Sequence, residues 1–267
     1  LNSEPAIQDT GTIKGRIKGQ LTFDHVTFTY PDSGIKAVDD LSFTIQAGQK
    51  VAIIGRTASG KSTVADLALR MYDPTSGEIL MDGVPLRDYE LASLRSNIGY
   101  VPQDVFLFSD TIDANIRFGS QASSREEVEQ YARYAAVYED IKGLPEGFDT
   151  RIGERGITLS GGQKQRISIA RALIKKPDFV ILDDCLSAVD THTEHTIIDF
   201  LNRELANKTA LIITHRILGM LDYDVILVLD HGRLVEQGTH DQLISRQGHY
   251  YELWQQQQVV TSQEEEV

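Results

Sequence analysis

The 267-residue sequence predicts an α/β domain with an antiparallel β subdomain and an inserted α-helical subdomain. Three observations predict it. Residues 178 to 230 alternate short apolar runs with helix-favouring segments, the pattern of strands joined by helices. Residues 21 to 50 alternate apolar and polar positions in the manner of antiparallel strands. Residues about 104 to 176, lying between these two regions, read as mostly helical. With 41% hydrophobic residues the chain can bury a substantial core. No internal repeat is visible.

The elements follow in order. Leu21 and Phe23 share one alternation phase and Val26 and Phe28 the other, which predicts a bulge or register change between them. Lys50-Val51-Ala52-Ile53-Ile54 is a short apolar run typical of a buried strand. It leads into Gly55-Arg56-Thr57-Ala58-Ser59-Gly60-Lys61-Ser62, and the segment from Lys61 to Met71 favours helix. Ser124-Arg125-Glu126-Glu127 reads as a helix start, with acids in the first turn. Leu159-Ser160-Gly161-Gly162-Gln163 opens another helix through Ile167, Ala170 and Ile174 to Lys176, ended by Pro177. Phe179-Val180-Ile181-Leu182-Asp183 is an apolar run closing on a carboxylate, as a buried parallel strand would. Ala210 to Ile213 form a further apolar run, and Asp230-His231-Gly232-Arg233 reads as a hairpin turn. The Gln- and Glu-rich tail, residues 256–267, is expected to be disordered.

The loop from Gly55 to Ser62 matches G-x-x-x-x-G-K-[ST] between a strand and a helix. In that pattern glycines let backbone N–H groups close around phosphate oxygens, the Lys reaches the β/γ-phosphates and the Ser presents a hydroxyl to Mg²⁺. The helix N-terminus adds its positive dipole end. Leu159 to Gln163 is harder to explain as an ordinary helix start. Two adjacent glycines are unfavourable there, by roughly 1 kcal/mol each inside a helix. Ser160 suits either a helix cap or, with bare backbone N–H groups beside it, a phosphate contact. Asp183, at the C-terminal end of its strand, is placed to hold Mg²⁺ through water.

These two motifs, about a hundred residues apart, resemble those of the nucleotide-binding domain of an ATP-binding-cassette (ABC) transporter, and the resemblance covers residues 21 to about 255. It implies a P-loop NTPase (RecA-like) core with ATP and Mg²⁺ as cofactors. It implies roles for further residues: Tyr30 stacks on adenine, Gln103 touches Mg²⁺ and the attacking water, and His215 contacts the γ-phosphate. Asp190, in Ser187-Ala188-Val189-Asp190, belongs to a loop that crosses a dimer interface. Ser62, Gln103 and Asp183 form the metal set. Gly55 and Thr57 through Thr63, including Ala58, Ser59, Gly60 and Lys61, hold the phosphates. Leu159, Ser160, Gly161, Gly162 and Gln163 close over the γ-phosphate held by a second subunit of a head-to-tail dimer. Tyr30 would equally suit an edge-strand core residue.

Three positions depart from the family pattern: Val189, where Leu is usual, and two nearer the phosphates. Asp184 stands where a catalytic Glu is usual. It is one methylene shorter, which withdraws a carboxylate by roughly 1 Å from the reach a general base needs. Two readings stand: a tolerated, weak base, or the degenerate site of one half of a heterodimeric exporter. Ala58 replaces a common Gly, and is strained only if that position needs a positive φ.

Thr150 to Gly156 resembles the loop by which exporters contact their membrane domain. Val105 to Ile116, with Phe106 and Phe108, resembles a docking groove for a coupling helix; ordinary core is the other reading. The expected partners are an ABC transmembrane domain, in the same polypeptide with residues 1–20 as the linker, and a second nucleotide-binding domain, a heterodimer being favoured. The expected place is the cytoplasmic face of a cell membrane, a bacterial plasma membrane. No apolar run approaches the 18 residues of a membrane span. One cysteine, Cys185, excludes internal disulfides and fits a reducing compartment. A formal net charge of −13 argues against a nucleic-acid or anionic-lipid surface. A chromosome-clamp or repair ATPase would carry a long insertion between Gln103 and Leu159, where only about 55 residues lie. A clamp that binds ATP without turnover remains the alternative.

Overall fold

The computed structural model describes residues 7–153, 156–216 and 222–264. Its strands are β1 (Leu21–Thr29), β2 (Lys36–Ile45), β3 (Lys50–Ile54), β4 (Ser76–Met81), β5 (Val84–Pro85), β6 (Ile98–Val101), β7 (Phe179–Asp183), β8 (Thr209–Thr214), β9 (Val225–Asp230) and β10 (Arg233–Gly238). Its helices are α1 (Lys61–Ala68), α2 (Leu91–Ser96), α3 (Ile112–Arg117), α4 (Arg125–Tyr134), α5 (Tyr138–Lys142), α6 (Gly161–Leu173), α7 (Thr191–Glu204), α8 (His240–Arg246) and α9 (His249–Glu264). Among these, none is long and apolar enough to cross a membrane.

Two sheets form. The first, ordered β2-β1-β4-β5, is antiparallel throughout. Its β1–β2 register shifts between Phe23 and Val26, where His25 takes a φ of 49°, so the expected phase change is a bulge. The second, ordered β10-β9-β3-β8-β7-β6, is parallel except for the β9–β10 hairpin, which turns at His231 and Gly232.

The parallel strands are buried on both faces, so alternate residues enter different cores. Val51, Ile53, Phe179, Ile181, Leu211 and Ile213 join α1 and the first sheet. Val180, Leu182, Ala210 and Ile212 join α6, α7 and the helical subdomain. Ala52, Ile54, Ile226 and Val228 meet Leu243 of α8 and Tyr250 of α9. The sheet is thus held from both sides, and it places the ends of β3, β8, β7 and β6 side by side along one edge. Ligands of open α/β sheets bind at such an edge.

Several boundaries differ from the sequence reading. Helix α6 ends at Leu173 rather than Lys176, because Pro177 disfavours α-helical geometry in the residue before it, and Lys176 has a φ of 52°. Helix α1 stops at Ala68, short of Met71, and Arg70 takes a φ of 49°. The tail from residue 256 continues α9 as far as Glu264 instead of being disordered; residues 265–267 lie outside the described residues. The segment read as a linker lies on the domain: Ile17 is buried, and the amides of Lys18 and Gln20 donate to Asp82 at 2.6 and 2.9 Å. The helical subdomain is built from α3 to α6, with loops at 102–111 and 143–160.

Candidate functional site

The loop after β3 closes into α1 through Gly60. Its φ of 96° is left-handed, and an added Cβ would lie 2.3 Å from the Ala37 carbonyl oxygen, so both the turn and the close approach require glycine. Gly55 packs against Leu229 at the start of the loop. Ala58 has a φ of 63°, which settles the open question about that position. A non-glycine residue is held there in a conformation that costs roughly 1–2 kcal/mol.

A cleft of about 330 Å³ opens over this loop. Thr57, Ala58, Ser59, Gly60, Lys61, Ser62 and Thr63 line it, together with Gln103, Asp183, Asp184, Ile213, Thr214 and His215. The sheet edge explains the convergence, because Asp183 ends β7, His215 follows β8 and Gln103 follows β6.

Within the cleft the Lys61 ammonium donates to the carbonyls of Gly55 at 2.8 Å and Arg56 at 2.7 Å. Burial pulls its pKa below the usual lysine value, and the charges of Asp183 and Asp184 oppose that shift. Asp183 is buried, and desolvation pushes its carboxyl up to about 6; the Ser62 hydroxyl, which donates to it, acts against the rise. Asp184 follows with a left-handed φ of 45°. Its amide donates to the Ile213 carbonyl at 2.8 Å, and its carboxylate lies 3.0 Å from Nδ1 of His215. A short side chain with its own hydrogen-bonding groups suits that backbone, which Asp tolerates better than longer residues do.

Ser62, Gln103 and Asp183 supply one hydroxyl, one amide oxygen and one carboxylate. Such a hard-oxygen set fits Mg²⁺, which keeps several waters and takes one or two carboxylates plus phosphate oxygens rather than an all-protein cage. Accordingly, no cluster of three or more His, Cys, Asp or Glu side chains suited to a metal occurs among the described residues.

Other site residues lie elsewhere. Tyr30 is absent from the cleft lining. Its hydroxyl is 3.0 Å from the Thr63 hydroxyl, and its ring packs edge-on against Phe28 and Tyr72, with centroids at 4.9 and 5.5 Å. Leu159 is buried. Ser160 caps α6 in a reciprocal box with Gln163, whose side chain also donates to Asp140 at 3.0 Å. Gly161 and Gly162 face Ala188 rather than the phosphate loop of their own chain. Asp190 caps α7 by accepting from the Thr193 amide at 3.0 Å.

The sequence reading missed Thr214, Tyr100 and Gln165. Burial, with the nearby charges of Asp183 and Asp66, raises the Tyr100 hydroxyl well above the usual tyrosine value, so it stays neutral. Of the exporter-like segment Thr150–Gly156, Glu154 and Arg155 lie outside the described residues. In the other such segment, Phe106, Phe108 and Phe118 form a contiguous exposed aromatic cluster, so the core reading of Phe106 and Phe108 does not hold.

A phosphate-binding loop joined to two acids, a glutamine and a histidine at the edge of a parallel sheet defines an ATP-binding domain. Residues 38–187 match the ABC transporter family model, and the chain belongs to that family, whose characteristic activity is ATP hydrolysis. The chain is 47% identical over 246 residues to the probable multidrug resistance ABC transporter ATP-binding/permease protein YheI of Bacillus subtilis, covering 92% of this chain and 42% of that protein. It is 46% identical over 255 residues to the ATP-dependent lipid A-core flippase of Pseudomonas fluorescens, covering 95% and 42%. Among solved structures, a bacterial Atm1-family ABC exporter with ATP bound superposes with a TM-score of 0.85 at 44% identity, covering 92% of this chain and 43% of that one. The chain therefore spans less than half the length of the relatives it matches.

Proposed function

We propose that this chain binds Mg-ATP in the cleft over Gly55–Thr63 and, paired head to tail with a second nucleotide-binding domain, powers export by a membrane domain in the same polypeptide at the cytoplasmic face of a cell membrane. The convergence of Lys61, Ser62, Gln103, Asp183, Asp184 and His215 on one cleft carries this reading. Lys61 and the loop amides would stabilise charge on the transferring phosphoryl group. Bound Mg²⁺, held by Ser62, Gln103 and Asp183, would neutralise phosphate charge. Gln103 and His215 would orient the water and the γ-phosphate, and Asp184 would act as a weak base. Tyr30 would receive the adenine ring by leaving its edge contacts.

The segment Leu159–Gln163 and Asp190 stand away from this cleft, which supports a role for them in the partner's site. The short acid at 184 supports a heterodimer in which this chain's own site turns over poorly and its signature segment completes the competent one. One observation favours a second reading, a homodimer with a working Asp base: the Asp184 carboxylate is already seated on His215 at 3.0 Å. The relatives' names differ in cargo, multidrug resistance in one and lipid A-core in another, so no cargo is assigned.

Calorimetric titration with Mg-ATP tests the site. Lys61→Ala should lose most of the binding, because it deletes the charge facing the β/γ-phosphates. Equal affinity in the variant would show that the phosphate loop is not where the nucleotide sits.

A further inference from the structure

Gln165 is a polar side chain on the first turns of α6, and it is only 4% exposed. A buried amide must be satisfied, and both ends of this one are used across the fold. Its Nε2 donates to the Ser187 hydroxyl at 3.1 Å, and its Oε1 accepts from the Ala188 amide at 3.1 Å. Both partners lie in the loop between β7 and α7, in which the Ser187 amide donates to the Asp184 carbonyl at 3.3 Å. A second contact ties the same two segments together. A Cβ added to Gly162 would sit 2.8 Å from the Ala188 carbonyl oxygen, so the helix start and the loop touch backbone to backbone. The helix start is itself anchored from the opposite side. Arg166 binds the Asp140 carboxylate at 2.9 Å and the Ala136 carbonyl, and Gln163 binds Asp140.

We propose that Gln165 is a positioning residue that fastens the start of α6 to the loop carrying Asp184, so that the surface offered to the partner and this chain's own acid move as one body. The inference rests on the head-to-tail reading above for its effect on turnover, but the fastening itself is a property of the single chain. Two hydrogen bonds from one planar amide fix both distance and orientation, which a lone hydroxyl contact would not. Displacements near 1 Å at a site of this kind can reduce rate by as much as ~10²-fold.

The test uses the full-length transporter carrying this domain, with Gln165→Met and Ser187→Ala. Methionine keeps the length and burial of Gln165 while removing both hydrogen bonds, and Ser187→Ala removes one of them. Expected are a fall in kcat of about tenfold for Gln165→Met, a smaller fall for Ser187→Ala and unchanged Mg-ATP affinity in both. The double variant Gln165→Met with Ser187→Ala should be no worse than Gln165→Met alone, because the two residues share one contact. Hydrogen exchange should show the Ala188 amide losing protection in Gln165→Met. Unchanged kcat in that variant, or an Ala188 amide as protected as in the wild type, overturns the proposal. So does a kcat loss in Gln165→Met accompanied by an equal loss of Mg-ATP affinity, since this would reflect a disturbed cleft rather than the fastening. Failure of the wild type to bind ATP would instead overturn the functional reading, and the exchange measurement would still decide the fastening.

Discussion

Two of the residues that depart from the family pattern, Ala58 and Asp184, share a left-handed backbone, with φ of 63° and 45°. Asp accepts that conformation readily and Ala does not, so the residue at 58 stores strain in the loop before α1 while the residue at 184 suits its backbone. Asp183, next to them, gives the site a pH dependence. Its folded carboxyl titrates at about 6, above its unfolded value, so the folded state keeps a proton that the unfolded chain releases from about pH 4. Stability from this group is therefore full at low pH and falls as pH rises through about 6, the total difference being about 3 kcal/mol. Without nucleotide, Asp183→Asn should match the wild type near pH 4 and exceed it by an amount approaching that value at pH 7, in urea unfolding at both pH values. Parallel behaviour at the two pH values would show that the buried carboxyl is not the cause. The sequence shows Asp183 as an acid ending an apolar run. Its desolvation, and the seat of Asp184 on His215, come only from the packing of β7 against β8.

At the scale of elements, local signals are legible where they are self-contained. Ser124 and Glu127 announce a helix start, and α4 begins there with a complete capping box: Glu127 N–H to Ser124 Oγ at 3.3 Å and Ser124 N–H to Glu127 Oε2 at 3.1 Å. Ser124→Ala should destabilise the protein by about 1 kcal/mol, measured as a lowered urea midpoint at unchanged slope. A neutral substitution would mean that the helix is held by its buried Val128, Tyr131 and Ala132 alone. Strands β3, β7 and β8 and the hairpin at His231-Gly232 are readable for the same reason, since apolar runs and turn chemistry act over a few residues; β6, only four residues long, is not. Helix α9 is not either. Its glutamine run lacks an apolar stripe, and what holds it is distant in sequence: Tyr250, fully buried in one cluster with Ala52, Ile54, Ile226 and Val228, and Gln257, whose amide donates to the His215 carbonyl at 2.6 Å. A window along the chain does not contain those contacts.

For the molecule as a whole, the arrangement divides the chemistry between two surfaces. The cleft gathers the phosphate loop, Gln103, both acids and His215, whereas the helix start at Ser160 to Gly162 is absent from that cleft's lining and is capped by Ser160 with Gln163. Sequence order shows both motifs but not their separation: the start of α6 lies against Ala188 in the loop after β7, and the cleft is lined by the loop before α1. That separation lets the two readings of Asp184 be told apart in the full-length transporter. If the partner's site carries most turnover, Asp184→Asn changes the total little, because the acid it removes serves the slower site. Changes at Ser160 and Gly161 abolish turnover, because they remove a hydroxyl donor from the faster one and set a carboxylate against its phosphate. If instead two identical sites work with Asp184 as base, both changes fall on every site and both are severe, with Asp184→Asn lowering kcat by 10²-fold or more, the usual scale for a lost general base. We expect the first pattern: ATPase rates of the assembled transporter near wild type for Asp184→Asn and near background for Ser160→Ala combined with Gly161→Asp. A severe loss from Asp184→Asn would rule out the degenerate site and leave the His215-seated carboxylate as the working base.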